Sequence, residues 1–242
     1  MLFENDWYRL RRCLEVAYST PSDGAAFTGV KTGELESYGF DVRCFFLCPT
    51  DRMSHYAVVD RRCERMLVNG LVRETVVFPL SDMVQKAIGY RQVLEYLNRD
   101  HAREKDEAAF DEFIGNFQSA TRRYAKRQMQ WYLKDSNFVF VPVDVSQGGS
   151  EATSEVAANA IMYHVGLSRA EYDKQRKQPE TDNAKTRRIN ESQGKGMKLF
   201  KSQREILTKG SDALNRVLAD ADDCHSQYIS NKLQKQTKKR TH

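Results

Sequence analysis

No apolar run in the 242-residue chain approaches the ~20 positions that a membrane-crossing helix requires. Residues 1–12 carry acids and a tryptophan and lack the apolar stretch of a signal peptide, so a soluble intracellular protein is expected. The five cysteines, Cys13, Cys44, Cys48, Cys63 and Cys224, include no C-x-x-C pair. An odd count without that pair argues against a disulfide framework and against structural zinc. Cys224-His225 has no second ligand pair nearby, and Cys44 and Cys48, flanking Phe45-Phe46-Leu47, read as buried free thiols. No G-x-x-x-x-G-K-[ST] occurs; Gln193-Gly194-Lys195-Gly196 has neither the spacing nor the hydroxyl residue that cradles a phosphate. His55 and His164 stand alone, no Ser/His/Asp order suggests acyl chemistry, and no acidic cluster resembles an all-protein metal site. There is no internal repeat.

What remains is a mildly basic chain, net charge +5 and pI about 8.9, with 40% hydrophobic residues. That balance fits a polyanionic partner without demanding one. Periodicity predicts a helix over 5–18, with Trp7, Leu10, Leu14 and Ala17 on one face and Arg9 and Arg12 away from it. A glycine-rich loop follows over 20–39, then a buried strand over 41–48. Thr50-Asp51 cap a helix over 52–68 that Asn69-Gly70 ends. Further helices are expected over 71–78, 82–98 and 107–134, and a short strand over 137–143, where Pro142 favours a sheet edge. Ser146–Ser154 reads as a linker and 155–178 as one helix. From Gln178 onward apolar anchors are few, and a disordered or loosely helical tail with a basic end is expected.

Some residues break their local pattern. In the stretch around Gly89, Val84, Ala87, Ile88 and Leu94 define an apolar face with Arg91 in its middle. A charge there is costly unless it is paired or faces a cleft, so Arg91 reads either as aimed into an anionic pocket or as half of a structural salt bridge. Over 107–134, Phe113, Phe117, Ala120, Tyr124 and Trp131 form an aromatic face onto which Arg127 and Gln128 project, while Arg122, Arg123 and Lys126 point away. Aromatics beside a guanidinium and an amide suit base stacking and edge recognition, and the basic side suits phosphates. The other reading is an amphipathic helix with a solvated basic side.

Together these segments resemble the tRNA dimethylallyltransferase family. Asn5-Asp6-Trp7-Tyr8-Arg9-Leu10-Arg11-Arg12-Cys13-Leu14-Glu15 is similar to its N-D-x-x-R-x-x-R-A-L-E helix. Asp60-Arg61-Arg62-Cys63-Glu64-Arg65-Met66-Leu67, with Gly70-Leu71 and Glu74, resembles R-x-x-x-M-L-x-x-G-L-x-x-E. Ala87-Ile88-Gly89-Tyr90-Arg91-Gln92 with Tyr96-Leu97 resembles A-I-G-Y-[RK]-[QE]…Y-L. Thr121-Arg122 and Ala125-Lys126-Arg127-Gln128-Met129-Gln130-Trp131 resemble T-R-x-x-A-K-R-Q-x-T-W. Order and spacing agree over 5–134, and the wording, with Lys201-Ser202-Gln203-Arg204-Glu205, is most like plant and algal members. Gln130 departs from the usual threonine and Leu133 from the usual arginine. The family's phosphate loop, catalytic aspartate and most of its sheet precede the first motif and are not among these 242 residues, nor is the zinc finger that ends some members.

The resemblance implies a mainly α fold with a small β remnant: the C-terminal part of a P-loop NTPase-like α/β fold plus a helical tRNA-binding region over 1–145, then a polar linker and partly disordered basic tail over 146–242. It implies transfer of a dimethylallyl group from dimethylallyl diphosphate to the N6 amine of the adenine 3′ of the anticodon. The base must leave its stack, and the leaving diphosphate needs Mg²⁺, whose ligands the resemblance puts outside this chain. Arg62 matches a diphosphate-facing arginine. Tyr8, Arg9, Arg12, Lys86, Gly89, Tyr90, Arg91, Gln92, Arg123, Lys126, Arg127, Gln128 and Trp131 match contacts to the tRNA anticodon stem-loop. A monomer in the cytoplasm, plastid or mitochondrion is expected, with no membrane partner, and inactive alone. The alternatives are a non-catalytic tRNA-binding module derived from the enzyme, or a helical interaction protein with a solvated basic stripe.

Overall fold

The computed structural model describes Arg11 and residues 37–78, 81–99, 107–135, 137–146, 151–177 and 200–240. The chain divides into two compact units, 1–44 and 45–242. The described part of the first holds an ion pair between Arg43 and Asp41 at 2.7 Å; the helix expected over 5–18 and most of the loop over 20–39 lie outside the described residues.

Strand β1 spans Cys44–Pro49 and β2 spans Phe138–Val143, and the two form a two-stranded parallel sheet. The Thr50 N–H donates to the Val143 carbonyl at 3.0 Å, closing the end of the ladder. Helix α1 (Arg52–Val68) begins where the Asp51 carboxylate accepts the Ser54 N–H at 2.6 Å, one of the donors a helix start leaves orphaned. It ends at Asn69, and Gly70, at φ +93°, turns the chain into α2 (Leu71–Val77).

The single helix expected over 82–98 is two. Short α3 (Asp82–Gln85) is separated from α4 (Tyr90–Leu97) by Gly89 at φ +99° and ψ −71°. That break rotates the register, so the buried face of α4 is Gln92, Val93, Tyr96 and Leu97, while Val84 and Ile88 are exposed. Gly89 is itself buried: a Cβ there would lie 3.5 Å from the Phe117 ring and 3.6 Å from Leu71. Gly89→Ala is therefore expected to lower stability by about 1–3 kcal/mol, mostly as backbone strain. A urea midpoint equal to wild type would show that the turn relaxes.

Long α5 (Glu107–Tyr132) packs antiparallel to α4, with Tyr96 stacked on Phe113 at 4.8 Å and Gly89 opposite Phe117. Cys63 and Leu67 of α1, Leu71 and Val72 of α2, Val93, Tyr96 and Leu97 of α4 and Phe110, Phe113, Ile114 and Phe117 of α5 form the main core. A smaller cluster of Cys48, Met129 and Phe140 joins the sheet to the end of α5. Cys48, Cys63 and Cys224 are buried free thiols, Cys44 half-buried. Burial above all pushes the Cys63 thiol up to about 11, against the hydrogen bond to Thr121. The helix expected over 155–178 is also two, α6 (Glu151–Gly166) and α7 (Arg169–Lys177), and α6 already occupies the end of the expected linker.

The basic tail contributes a long helix to the core. Residues 212–240 form one helix, α8 (Asp212–Arg240), and its Leu214, Val217, Leu218, Ala221 and Cys224 are buried in the main core together with Leu207. The compact unit therefore runs across residue 145 to the end of the chain.

Candidate nucleic-acid interface

The charged groups that turn inward are not those the apolar faces suggested. Asp60 and Glu64, one turn apart on α1, share a face with Cys63 and Leu67 and are 1% and 0% exposed. Arg122 of α5 pairs with the Asp60 carboxylate, whose other oxygen accepts the Ser202 hydroxyl at 2.5 Å. The Ser202 hydroxyl also lies 2.8 Å from the Gln118 amide oxygen, and the Arg122 guanidinium sits 5.3 Å from the Phe200 ring. Glu64 accepts three successive backbone N–H groups, from Glu205 at 3.2 Å and from Ile206 and Leu207 at 2.7 Å. Such a run of amides is an anion-binding concavity, here filled by the protein's own carboxylate. Around it, Arg61 pairs with Glu205 at 2.5 Å and Arg204 with Asp111 at 2.5 Å. Residues 200–207 are thus fastened across α1 and α5.

This polar lock was missed in the sequence, although two signals were present. Acids at 60 and 64 lie on the same helical stripe as Cys63 and Leu67, which is costly without partners. The spacing of Leu214, Val217, Leu218, Ala221 and Cys224 is that of an amphipathic helix.

The residues matched to RNA contacts lie mostly outside. Arg91 is exposed and pairs with Glu95, one turn further along the same helix, at 3.5 Å. Arg127 and Gln128 are exposed, and Gln128 donates to the Tyr124 hydroxyl at 3.0 Å. Conversely Arg122, expected to point away, is the arginine of α5 that turns in, because Asp60 is there to receive it. Gln92 is buried and accepts the Gly89 N–H at 2.8 Å, so it holds the turn. The Tyr90 hydroxyl lies 2.5 Å from Glu74, and this hydrogen bond, with burial, raises the phenol above its ordinary range. Arg62 is exposed on α1. Tyr8, Arg9 and Arg12 lie outside the described residues.

Two surfaces result. On the second half of α5, Arg123, Lys126 and Arg127 are exposed, and among the described residues no carboxylate pairs with them. Tyr124 and Trp131 on the same stretch are 50% and 62% exposed. The second is an open groove of about 420 Å³ lined by Asp82, Gln85, Lys86, Arg91, Leu94, Glu95, Asn98 and Tyr228. Gly89 faces Phe117, so the first surface lies about 9–15 Å further along α5 from that turn. Among the described residues no three His, Cys, Asp or Glu side chains converge on a point that could hold a metal. The buried carboxylates of Asp60 and Glu64 are already occupied by protein donors, so these residues do not fit a Mg²⁺ site. No described helix is long and apolar enough to cross a membrane.

Comparison with known proteins bears on the same span. Residues 1–135 match the family model described as IPP transferase. The chain is 34% identical over 164 residues, covering 53% of it and 35% of the relative, to tRNA dimethylallyltransferase 9 of Arabidopsis thaliana. To the tRNA dimethylallyltransferase of Protochlamydia amoebophila it is 32% identical over 148 residues, 59% of this chain and 41% of the relative. To that of Geobacter metallireducens it is 33% identical over 146 residues, 58% and 44% of the two chains. The chain spans less than half the length of these curated relatives, and no solved structure matches it. With more than half of its residues inside the family model, and with the motifs around Arg62, Gly89 and Arg127 at their expected spacing, the chain belongs to the IPP transferase family.

Proposed function

We propose that this chain acts in transfer of a dimethylallyl group from dimethylallyl diphosphate to the N6 amine of the adenine 3′ of the anticodon, and that its part in that reaction is to hold the tRNA. The observation that carries the reading is the row Arg123, Lys126 and Arg127, solvent-facing, with no carboxylate partner among the described residues, and flanked by exposed Tyr124 and Trp131. Cations without acidic neighbours suit phosphates, and exposed rings suit unstacked bases. The row falls inside the span matched by the family model. Lys86 and Arg91, beside the turn fixed by Gly89, supply a second set of contacts. Tyr8, Arg9 and Arg12 on the first motif are assigned the same role, and Arg62 faces the diphosphate. In this reading Tyr90 and Gln92 shape the turn that presents Lys86 and Arg91, rather than touching RNA themselves.

In this reading any Mg²⁺ that accompanies the diphosphate is held mainly by groups outside this chain. The two-stranded parallel sheet is consistent with the edge of a larger P-loop NTPase-like sheet. The purified 242-residue chain, which contains no phosphate-loop motif, is expected to bind an anticodon stem-loop weakly and to transfer no prenyl group. Lys126→Ala/Arg127→Ala is expected to weaken binding and to flatten the plot of log affinity against log salt by about 1–2, as phosphate contacts are lost. An unchanged dissociation constant for that variant removes the RNA-holding role, and measurable transfer by the isolated chain removes the division of labour.

A further inference from the structure

The whole formal net charge of +5 is carried by the last eleven residues, where Lys232, Lys235, Lys238, Lys239 and Arg240 occur without an acid, leaving 33 cations and 33 acids upstream. Helix α8 continues to Arg240, and its course is set by the core residues Leu214 to Cys224, by the pairing of Arg73 with Asp220, and by the Glu64 lock just before it. Near its end the Lys232 ammonium donates to the Asn98 side-chain oxygen at 2.8 Å, and the Tyr228 hydroxyl lies 3.2 Å from the same atom. Tyr228 and Asn98 line the groove that also contains Lys86 and Arg91. The groove itself is close to neutral, because Asp82 and Glu95 lie among its walls and Glu95 pairs with Arg91. Residues 233–240 extend the helix beyond that point by about 12 Å.

We propose that the C-terminal end of α8 is an RNA-contacting arm, gripping the phosphodiester backbone of the same RNA that lies along the Lys86–Arg91 groove. This rests on the tRNA reading above and adds to it a surface outside the span matched by the family model. Cations in the last turn of a helix also stabilise its negative end, but one or two suffice for that, and five in eleven residues exceed the need. A membrane surface is the less suitable partner. Past Lys232 the helix carries Leu233 as its only large apolar residue, so no apolar stripe accompanies the charge. RNA needs only the charge.

The test uses the full chain, a labelled anticodon stem-loop RNA and fluorescence anisotropy over a salt series. Two variants are compared with wild type: K235Q/K238Q/K239Q/R240Q, and a deletion of residues 233–242 that keeps Tyr228 and Lys232. Both are expected to bind about tenfold more weakly near 0.1 M salt and to reduce the salt slope by about 2–3. Circular dichroism of the glutamine variant should match wild type. If both variants keep the wild-type slope while Lys126→Ala/Arg127→Ala loses affinity, the arm falls and the tRNA reading stands. If wild type itself shows no RNA affinity, both fall. Loss of binding to phosphatidylserine vesicles in these variants, with RNA binding intact, reassigns the arm to a membrane and overturns the proposal.

Discussion

Glu64→Ala is expected to cost about 3–5 kcal/mol of stability. The carboxylate is wholly inaccessible to water and accepts N–H groups from Glu205, Ile206 and Leu207. Removing it leaves three backbone donors near a dry core with nothing to accept them, and an unsatisfied buried donor costs about 1–3 kcal/mol. The segment 200–207 then keeps Leu207 in the core and Ser202 on Asp60, but its stretch from Arg204 to Ile206 is left with surface ion pairs, Arg61 with Glu205 and Arg204 with Asp111, which are individually weak. Glu64→Gln is expected to lose less, about 2 kcal/mol, because one oxygen remains while the new amide presents donors to donors. Urea denaturation reads the loss, and limited proteolysis reads its location: cleavage should appear near residues 200–211 before the helices are cut. A Glu64→Ala protein within about 0.5 kcal/mol of wild type would mean that the amides find water and that the lock is dispensable.

Two arginines five positions apart on α5 are expected to behave in opposite ways. Arg122→Ala should destabilise by about 3–5 kcal/mol, since it strands the Asp60 carboxylate, 1% exposed, with Ser202 as its remaining side-chain donor. Arg127→Ala, on the exposed side, should leave the denaturation midpoint within about 0.5 kcal/mol and change RNA affinity instead. A double variant, Asp60→Asn/Arg122→Met, is expected to recover part of the Arg122 loss, because an uncharged pair no longer carries the penalty of an unpaired ion. If Arg122→Ala proved as stable as Arg127→Ala, Asp60 would have another partner and the assignment of roles along the helix would fail.

That contrast also shows how far the sequence was readable. Helix α1 and its ends follow from Asp51 and from Asn69-Gly70, and α5 from one long apolar period, because these signals are local. The two strands were legible as short apolar runs for the same reason. The apolar face around Arg91 presupposes one unbroken helical register over 82–98. Gly89, at a φ that favours glycine, resets that register, and the face centred on Val84 and Ile88 turns to water. Which of Arg122 and Arg127 turned inward depended on Asp60, 62 positions from the first. The partners of Glu64 lie more than 140 positions away, as backbone groups of a segment with no regular structure, and no periodicity encodes them. The site residues on α5 could be named from their resemblance to a family, but not oriented from it.

The two strands pair in parallel although all of α1 to α5 lies between them. A parallel pair cannot close through a hairpin. During synthesis β1 therefore emerges first and waits for β2, 94 positions later, about 5–20 s at ribosomal speeds. For that interval the backbone of β1 has no β2 to pair with and Phe46 lacks the Phe140 ring that lies 5.3 Å from it in the finished protein, which makes this strand the point where a nascent chain would engage a holding chaperone or a neighbouring polysome product.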